Sequence, residues 1–480
     1  MPDKMHIAFT GRLVIVGFGS IGQGVLPLLL RHIDIRPDQI AIISAEPRGE
    51  AVAAEYGAGF VETALTRENH RAVLDGRLGR GDFLLNVSVD VSSVALIEYC
   101  REKDALYLDT CIEPWPGGYT DPNLPPSARS NYALRESALA LRLRGPALSG
   151  SDGPTAVITH GANPGLVSHF VKQALLDVAR DADRSAPAPV AVPTDRVGWA
   201  RLAERLGVKV IHIAERDTQV TDIAKEPGEF VNTWSIDGFF SEGSQPAELG
   251  WGTHERHFPA DARRHDFGSQ AAIYLLRPGA ATRVRSWTPL EGPYQGFLIT
   301  HGESISIADY LTLREGEAVR YRPTCHYAYH PCDDAVLSLH ELAGKNWHLQ
   351  SNKRLMMDEI TAGIDELGVL LMGPQNGVYW YGSRLSIEEA RRVTPHNNAT
   401  SLQVTAAVLA GVVWAIEHPR RGLVEPDEMD FARILEICRP YLGEVVGIWG
   451  DWTPLTDREI LFPEDLDRED PWQFKNIRVL

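Results

Sequence analysis

The chain is predicted to be α/β: a Rossmann-type domain on a parallel sheet, then an α+β domain on a largely antiparallel sheet. Three observations predict this. Short apolar runs alternate with helix-like segments through the N-terminal part. A glycine-rich turn, Gly17-Phe18-Gly19-Ser20-Ile21-Gly22, separates the first such run from the first helix. From about Val208 onward, strand-like runs dominate and helices thin out. A chain of 480 residues also exceeds what one hydrophobic core serves, so more than one domain is expected.

Leu13-Val14-Ile15-Val16 is a continuous apolar run, as a strand buried on both faces requires. Residues 23–32 read as a helix and 40–44 as a second strand, which makes a βαβ unit. A strand at 83–87, a helix at 94–103 and a strand at 105–109 continue the alternation, so the sheet is parallel. Segment 113–129 is rich in Pro and Gly and is a loop; 131–144 reads as a helix. A strand at 156–159 runs into Gly161-Ala162-Asn163-Pro164-Gly165. The proline-rich stretch 181–195 is a surface loop or linker. Runs at 210–214, 270–276 and 296–300 suggest the antiparallel sheet. Residues 400–418 form a long helix expected to return to the first domain. The expected division is 1–155 for a dinucleotide-binding domain, 156–390 for a substrate-binding domain and 391–480 for a C-terminal helical segment.

Hydrophobic content of 44% and charged content of 23% are those of a soluble globular protein. A net charge of −17 argues against nucleic acid as partner and suits a cationic ligand, though it also serves solubility. Five cysteines are too few, and odd in number, for a disulfide framework. Residues 1–11 hold no apolar signal core, and the apolar stretch 402–416 is too short to span a bilayer. A cytoplasmic protein with no membrane partner is expected.

In the glycine turn, Gly17 allows the sharp exit from the strand, Gly19 lets a pyrophosphate approach the backbone, and Gly22 lets helix and sheet pack closely. Ser20 and Ile21 lie in the turn, and the N-terminus of the helix that follows offers free N–H groups to phosphate. Glu46, just past the second strand, would accept the ribose hydroxyls and repel a 2′-phosphate, which favours NAD; Arg48 lies close by. Asn86 and Ser88 follow one strand, Asp109 and Thr110 another, and Ala162, Asn163 and Pro164 a third. These positions lie at the carboxyl ends of strands, where an open α/β sheet binds ligands, and complete the expected cofactor contacts. Helix and turn capping is the alternative use of Asp90, Asp109 and Asn163.

Further along, Glu215 and Asp217, Trp234, Glu242, His301 and Glu303, and Asp365 stand in apolar or glycine-rich surroundings. Carboxylates there are costly unless paired. A dication would pair them, and Trp234 could hold an ammonium by cation–π attraction. Taken without a family resemblance, the preferred reading is structural: Trp234 in the core and the carboxylates paired with the many arginines. Cys325-His326-Tyr327-Ala328-Tyr329-His330-Pro331-Cys332 is rich in metal-binding types, but its spacing fits no closed zinc pattern; a half-buried aromatic strand or turn is expected, and no metal.

Across segments 17–22, 131–137, 161–165, 212–219, 232–235, 245–256, 322–331 and 471–474 the chain resembles the bacterial homospermidine synthases, relatives of saccharopine dehydrogenase-like enzymes. The resemblance implies a redox-neutral aminobutyl transfer: two putrescines give sym-homospermidine and ammonia, with NAD taking up and returning a hydride. Spermidine is a second possible partner substrate. The resemblance places active-site residues at Glu113, Asn163, Glu215, Trp234, Glu242, His301 and Asp365 and suggests a homodimer. In physical terms, Glu215 and Glu242 would hold a distal ammonium and Trp234 an iminium. His301 would carry a proton, and Asn163 would orient an amine or the nicotinamide. The rivals are an NAD(P)-linked dehydrogenase of the saccharopine or carboxynorspermidine type and a non-catalytic NAD-binding regulatory protein.

Overall fold

A computed structural model describes residues 4–119, 121, 123–143, 153–182 and 191–480. Leu13–Val16 is fully buried and lies near the middle of a seven-stranded parallel sheet. On one side it pairs with Ile40–Ser44, which pairs with Gly59–Glu62. On the other come Phe83–Asn86, Leu106–Asp109, Ala156–Val157 and Leu423–Val424. The chain order reverses direction at Leu13–Val16, so the crevice for a ligand opens where this strand ends, at Gly17.

The second sheet has eleven strands, with Val210–Asp217 at its heart. Thr324–His330 lies parallel to that strand, Ile364–Met372 antiparallel on its other side. The remaining ladders are antiparallel, in line with the expected class. Residues alternate across a strand, so Glu215 and Asp217 share one face while His212 takes the other. Register sets Asp365 directly opposite Asp217 and Tyr329 opposite Glu215.

Helix Ala399–Glu417 ties the two layers together. Asn398 caps it, accepting from Ser401 N at 2.7 Å while Ser401 Oγ accepts from Asn398 N at 2.9 Å. Gly411 lies so close to the parallel sheet that a Cβ there would come within 2.6 Å of Leu108. From its first turns Gln403 donates to the Asp365 carbonyl of the second sheet at 3.1 Å.

Several expectations need correction. At 19 residues this helix is long and apolar enough to cross a membrane, so the argument from a short 402–416 stretch fails; the Asn398 cap carries it further. In the fold, 89% of its most apolar window is buried in protein. Residues 391–480 do not all return to the first domain. Leu423–Val424 joins the parallel sheet, but Glu444–Gly450 and Arg478–Val479 extend the second, where open strand edges accept them. The boundary at 155 falls just before Ala156–Val157, which pairs into the first sheet. The 325–332 stretch is strand Thr324–His330, buried rather than half-buried, because both its faces are covered. The centre of the 181–195 linker and the end of the 131–144 helix lie outside the described residues.

Candidate active site

The crevice begins at the glycine turn. Gly17 has φ +86°, and a Cβ there would come within 2.7 Å of the Ser88 backbone. A Cβ at Gly22 would meet the Gly17 carbonyl at 2.8 Å, so helix Ser20–His32 sits close on the strand. A Cβ at Gly19 would meet nothing within 4 Å, and no side chain caps the helix start beside it. Open space over free helix N–H groups is what a pyrophosphate needs. Ser88 donates to Asn86 Oδ1 at 2.6 Å, fixing the neighbouring strand end. Glu46 is exposed and paired with Arg48 at 2.9 Å. These residues fit a dinucleotide.

Asp109 lies beneath this crevice. Its side chain is wholly buried and accepts from Thr159 N at 2.6 Å and the Tyr107 hydroxyl at 2.8 Å. Burial pushes its carboxyl up to about 7 against those hydrogen bonds. It pins two strand ends together and so serves a cofactor from below. Thr110 follows it, and Ala162 and Pro164 are buried around Asn163.

Asn163 carries the first domain into the second: its Nδ2 donates to Glu215 Oε2 at 2.8 Å, and the Tyr327 hydroxyl donates to the same oxygen. Burial pushes the Glu215 carboxyl up to about 7, with Asp217 adding to the rise and the two donors opposing it. Asp217 is served by Gln219 N at 2.8 Å and the Thr233 hydroxyl at 2.7 Å, yet burial still raises its pKa. Asp365 accepts from the Thr400 hydroxyl at 2.5 Å, while its other oxygen, fully buried, has no partner among the described residues. Burial and the nearby Glu215 and Asp217 hold its pKa well above the carboxylate range.

A second group adjoins the first. His301 stands at the N-cap position of helix Gly302–Tyr310 without capping it through its side chain, and lies between Glu242, 2.9 Å from Nε2, and Glu303, 3.2 Å from Nδ1. Burial disfavours the charged ring, but the two carboxylates outweigh it and raise its pKa well above the ordinary value. The His301 ring lies 4.5 Å from that of Tyr327, which stacks at 5.0 Å on Tyr329. The Trp234 indole N–H donates to the Tyr329 hydroxyl at 3.0 Å. Glu113, from the first domain, is buried and accepts from Asp90 N at 3.3 Å. Burial pushes its carboxyl up to about 8, and Glu242 contributes.

The fold thus gathers all seven residues proposed for catalysis into one region. It adds Tyr327, Tyr329 and Thr400, and it brings in Asp217 and Glu303, which the sequence marked only as acids in apolar or glycine-rich stretches. Spacing could have found three of these: Asp217 is two residues past Glu215 on a strand, and Tyr327 and Tyr329 stand likewise. Among the described residues no Arg or Lys is within ion-pair distance of Glu113, Glu215, Glu242, Glu303 or Asp365, and their only basic neighbour at hydrogen-bond range is His301. Arginine pairing, the structural alternative, is therefore absent here. The described residues contain no group of His, Cys, Asp and Glu arranged to hold a metal ion.

Comparison with known proteins gives the family. Residues 13–157 match the saccharopine dehydrogenase NADP binding domain and 161–451 the saccharopine dehydrogenase C-terminal domain. A homospermidine synthase of Blastochloris viridis is 56% identical over 98% of this chain and 97% of its own. One from Mesorhizobium japonicum is 50% identical over the full length of both. The crystal structure of the Legionella pneumophila homospermidine synthase in complex with NAD superposes with a TM-score of 0.91 at 51% identity, covering 100% of this chain and 99% of that one. The chain belongs to the homospermidine synthase family, within the saccharopine dehydrogenase-like enzymes.

Proposed function

We propose that the chain joins two putrescine molecules into sym-homospermidine with release of ammonia, and accepts spermidine as an alternative partner. The observation that carries this is a group of buried carboxyls beside a dinucleotide cradle, with no Arg or Lys within ion-pair distance of Glu113, Glu215, Glu242, Glu303 or Asp365 among the described residues. A dehydrogenase acting on saccharopine or carboxynorspermidine must bind substrate carboxylates, normally through Arg, and this cleft would repel them. NAD, held by Gly17, Gly19, Gly22 and the helix start, supplies a two-electron store that ends the cycle as it began.

The chain's own residues do the rest. Putrescine is a dication in water, with ammonium groups near ~10. Reaction requires one neutral nitrogen and one charged one. Glu242 pairs with the charged end, and Asp365, kept protonated by burial and its acidic neighbours, accepts a hydrogen bond from it on the oxygen that has no partner among the described residues. Glu215, near neutrality and oriented by Asn163 and Tyr327, takes a proton from the reacting amine. His301 starts protonated between Glu242 and Glu303, so it acts as the acid that releases ammonia. Trp234 faces the developing iminium charge. Enclosure keeps water from hydrolysing that iminium to an aldehyde. A cytoplasmic homodimer is the proposed working form, the pairing on family resemblance and the compartment on five unpaired cysteines.

The test is incubation with putrescine and NAD while ammonia, polyamines and NADH are followed together. Equimolar ammonia and homospermidine without NADH accumulation is expected. Steady NADH accumulation would indicate a dehydrogenase, and cofactor binding without ammonia a regulatory protein.

A further inference from the structure

Away from the cleft, a cavity of about 400 Å³ opens beside the start of strand Thr324–His330, bordered by Trp251, Thr253, Arg264, Gln270, Arg314 and Arg322. It shares no residue with the catalytic groups or the glycine turn. Arg322 is only 6% exposed, yet its partners are neutral: Nε donates to the Thr312 hydroxyl at 2.9 Å and Nη1 to the Gln270 carbonyl at 3.2 Å. The other deeply buried arginine, Arg135, contrasts with it, held by Glu425 at 2.6 Å and Asp309 at 2.9 Å. Arg314 donates to the Glu317 carbonyl at 3.3 Å, and Arg264 lies over Phe258, 4.8 Å from the ring centroid. Among the described residues none of the three has a carboxylate within ion-pair distance.

The acids at the cavity do not neutralise them. Glu255 is wholly enclosed and turned to the Thr324 hydroxyl at 2.6 Å and Phe474 N at 2.9 Å. Its carboxyl is pushed up to about 7 by burial. Glu317, the other acid there, has no base within ion-pair distance among the described residues. A buried guanidinium with no counter-charge is costly, and in a chain of net charge −17 such a cluster runs against the general balance. Burial, opposed in part by Asp309, and then the charges of Arg314, Arg196 and Arg264 bring the Arg322 pKa down to about 10, so the cations crowd one another.

We propose that this cavity binds a small multivalent phosphate-type oxyanion, held by Arg264, Arg314 and Arg322. Guanidinium forks match phosphate oxygens two at a time. The volume lies in the range of small-molecule sites. Thr253, Ser269 and Gln270 add polar groups at the rim.

The test is calorimetric titration of tripolyphosphate into the full-length enzyme saturated with NAD, at about 0.15 M salt, where exposed charges are screened. One saturable site per chain is expected. R264E/R314E, changed at exposed positions, should weaken it by at least about tenfold, as loss of two charge-assisted contacts implies. R263E, on the same strand, should leave it intact, and circular dichroism with NAD-induced melting shifts checks that all three proteins are folded. R322Q, if folded, should abolish binding. Absence of saturable binding, or binding indifferent to R264E/R314E, overturns the proposal. So does a change in sedimentation mass in R264E/R314E without anion binding by the parent, which would assign the arginines to contact with another copy.

Discussion

Trp234 is fixed at its edge by Tyr329 and lies 5.1 Å from the Phe239 ring, so its position is set before any substrate arrives. A desolvated cation–π contact contributes about 2 kcal/mol, or about 30-fold in rate. W234A is therefore expected to slow ammonia release about 30-fold, and W234F, which keeps a ring, to recover part of it. Equal rates in all three proteins would remove Trp234 from the chemistry. Glu215, Glu242, His301 and Asp365 lay in otherwise apolar or glycine-rich stretches, but it was the family resemblance that assigned them to the site. Asp217 stood out with Glu215 as an acid of the same stretch, without a role. Its place opposite Asp365 depends on cross-strand register, which no local pattern encodes. Glu303 was likewise present in the motif, but its hold on His301 follows from where that helix begins.

Among the elements, the glycine turn separates two kinds of glycine. Gly17 is needed by the backbone, Gly19 by the space above it. G19V is expected to keep the melting temperature of the parent but lose the melting shift that NAD produces. G17A should melt lower, since φ +86° and a contact of 2.7 Å leave a methyl nowhere to go. A G19V protein that still shows the full NAD shift would contradict the cradle. Five of the seven parallel strands were legible because each is a largely apolar run; Gly59–Glu62, partly exposed at the sheet's edge, and the two-residue Leu423–Val424 were not. The second sheet was legible only as a class. Its order depends on pairings such as Val378–Ser386 with Glu444–Gly450, between segments far apart in the chain. The helix Ala399–Glu417 was readable from its apolar length, whereas the hydrogen bonds of Thr400 and Gln403 to the second sheet were not.

For the molecule as a whole, the buried acids make stability depend on pH and on ligand. Glu215 and Asp109 are raised to about 7 and Glu113 to about 8, above an unfolded carboxyl value near ~4. Between those limits the folded protein binds more protons than the unfolded chain, so stability falls as pH rises through this window. His301, raised above its ordinary value, acts in the same direction at its upper end. The substrate-free enzyme should thus melt at lower temperature at about pH 8 than at about pH 5.5, and putrescine should raise the melting temperature more at the higher pH. A putrescine shift independent of pH would mean that the carboxylates do not hold the diamine.

The most direct measurement is of hydrogen fate. Putrescine deuterated at both terminal carbons is supplied with NAD in a large excess of unlabelled NADH, and the triamine is analysed by mass spectrometry. Retention of every deuterium in sym-homospermidine is expected, because the enclosed site returns what it removes to the same carbon. Deuterium in free NADH with a correspondingly depleted triamine, or no triamine at all, would contradict a redox-neutral transfer in this cleft.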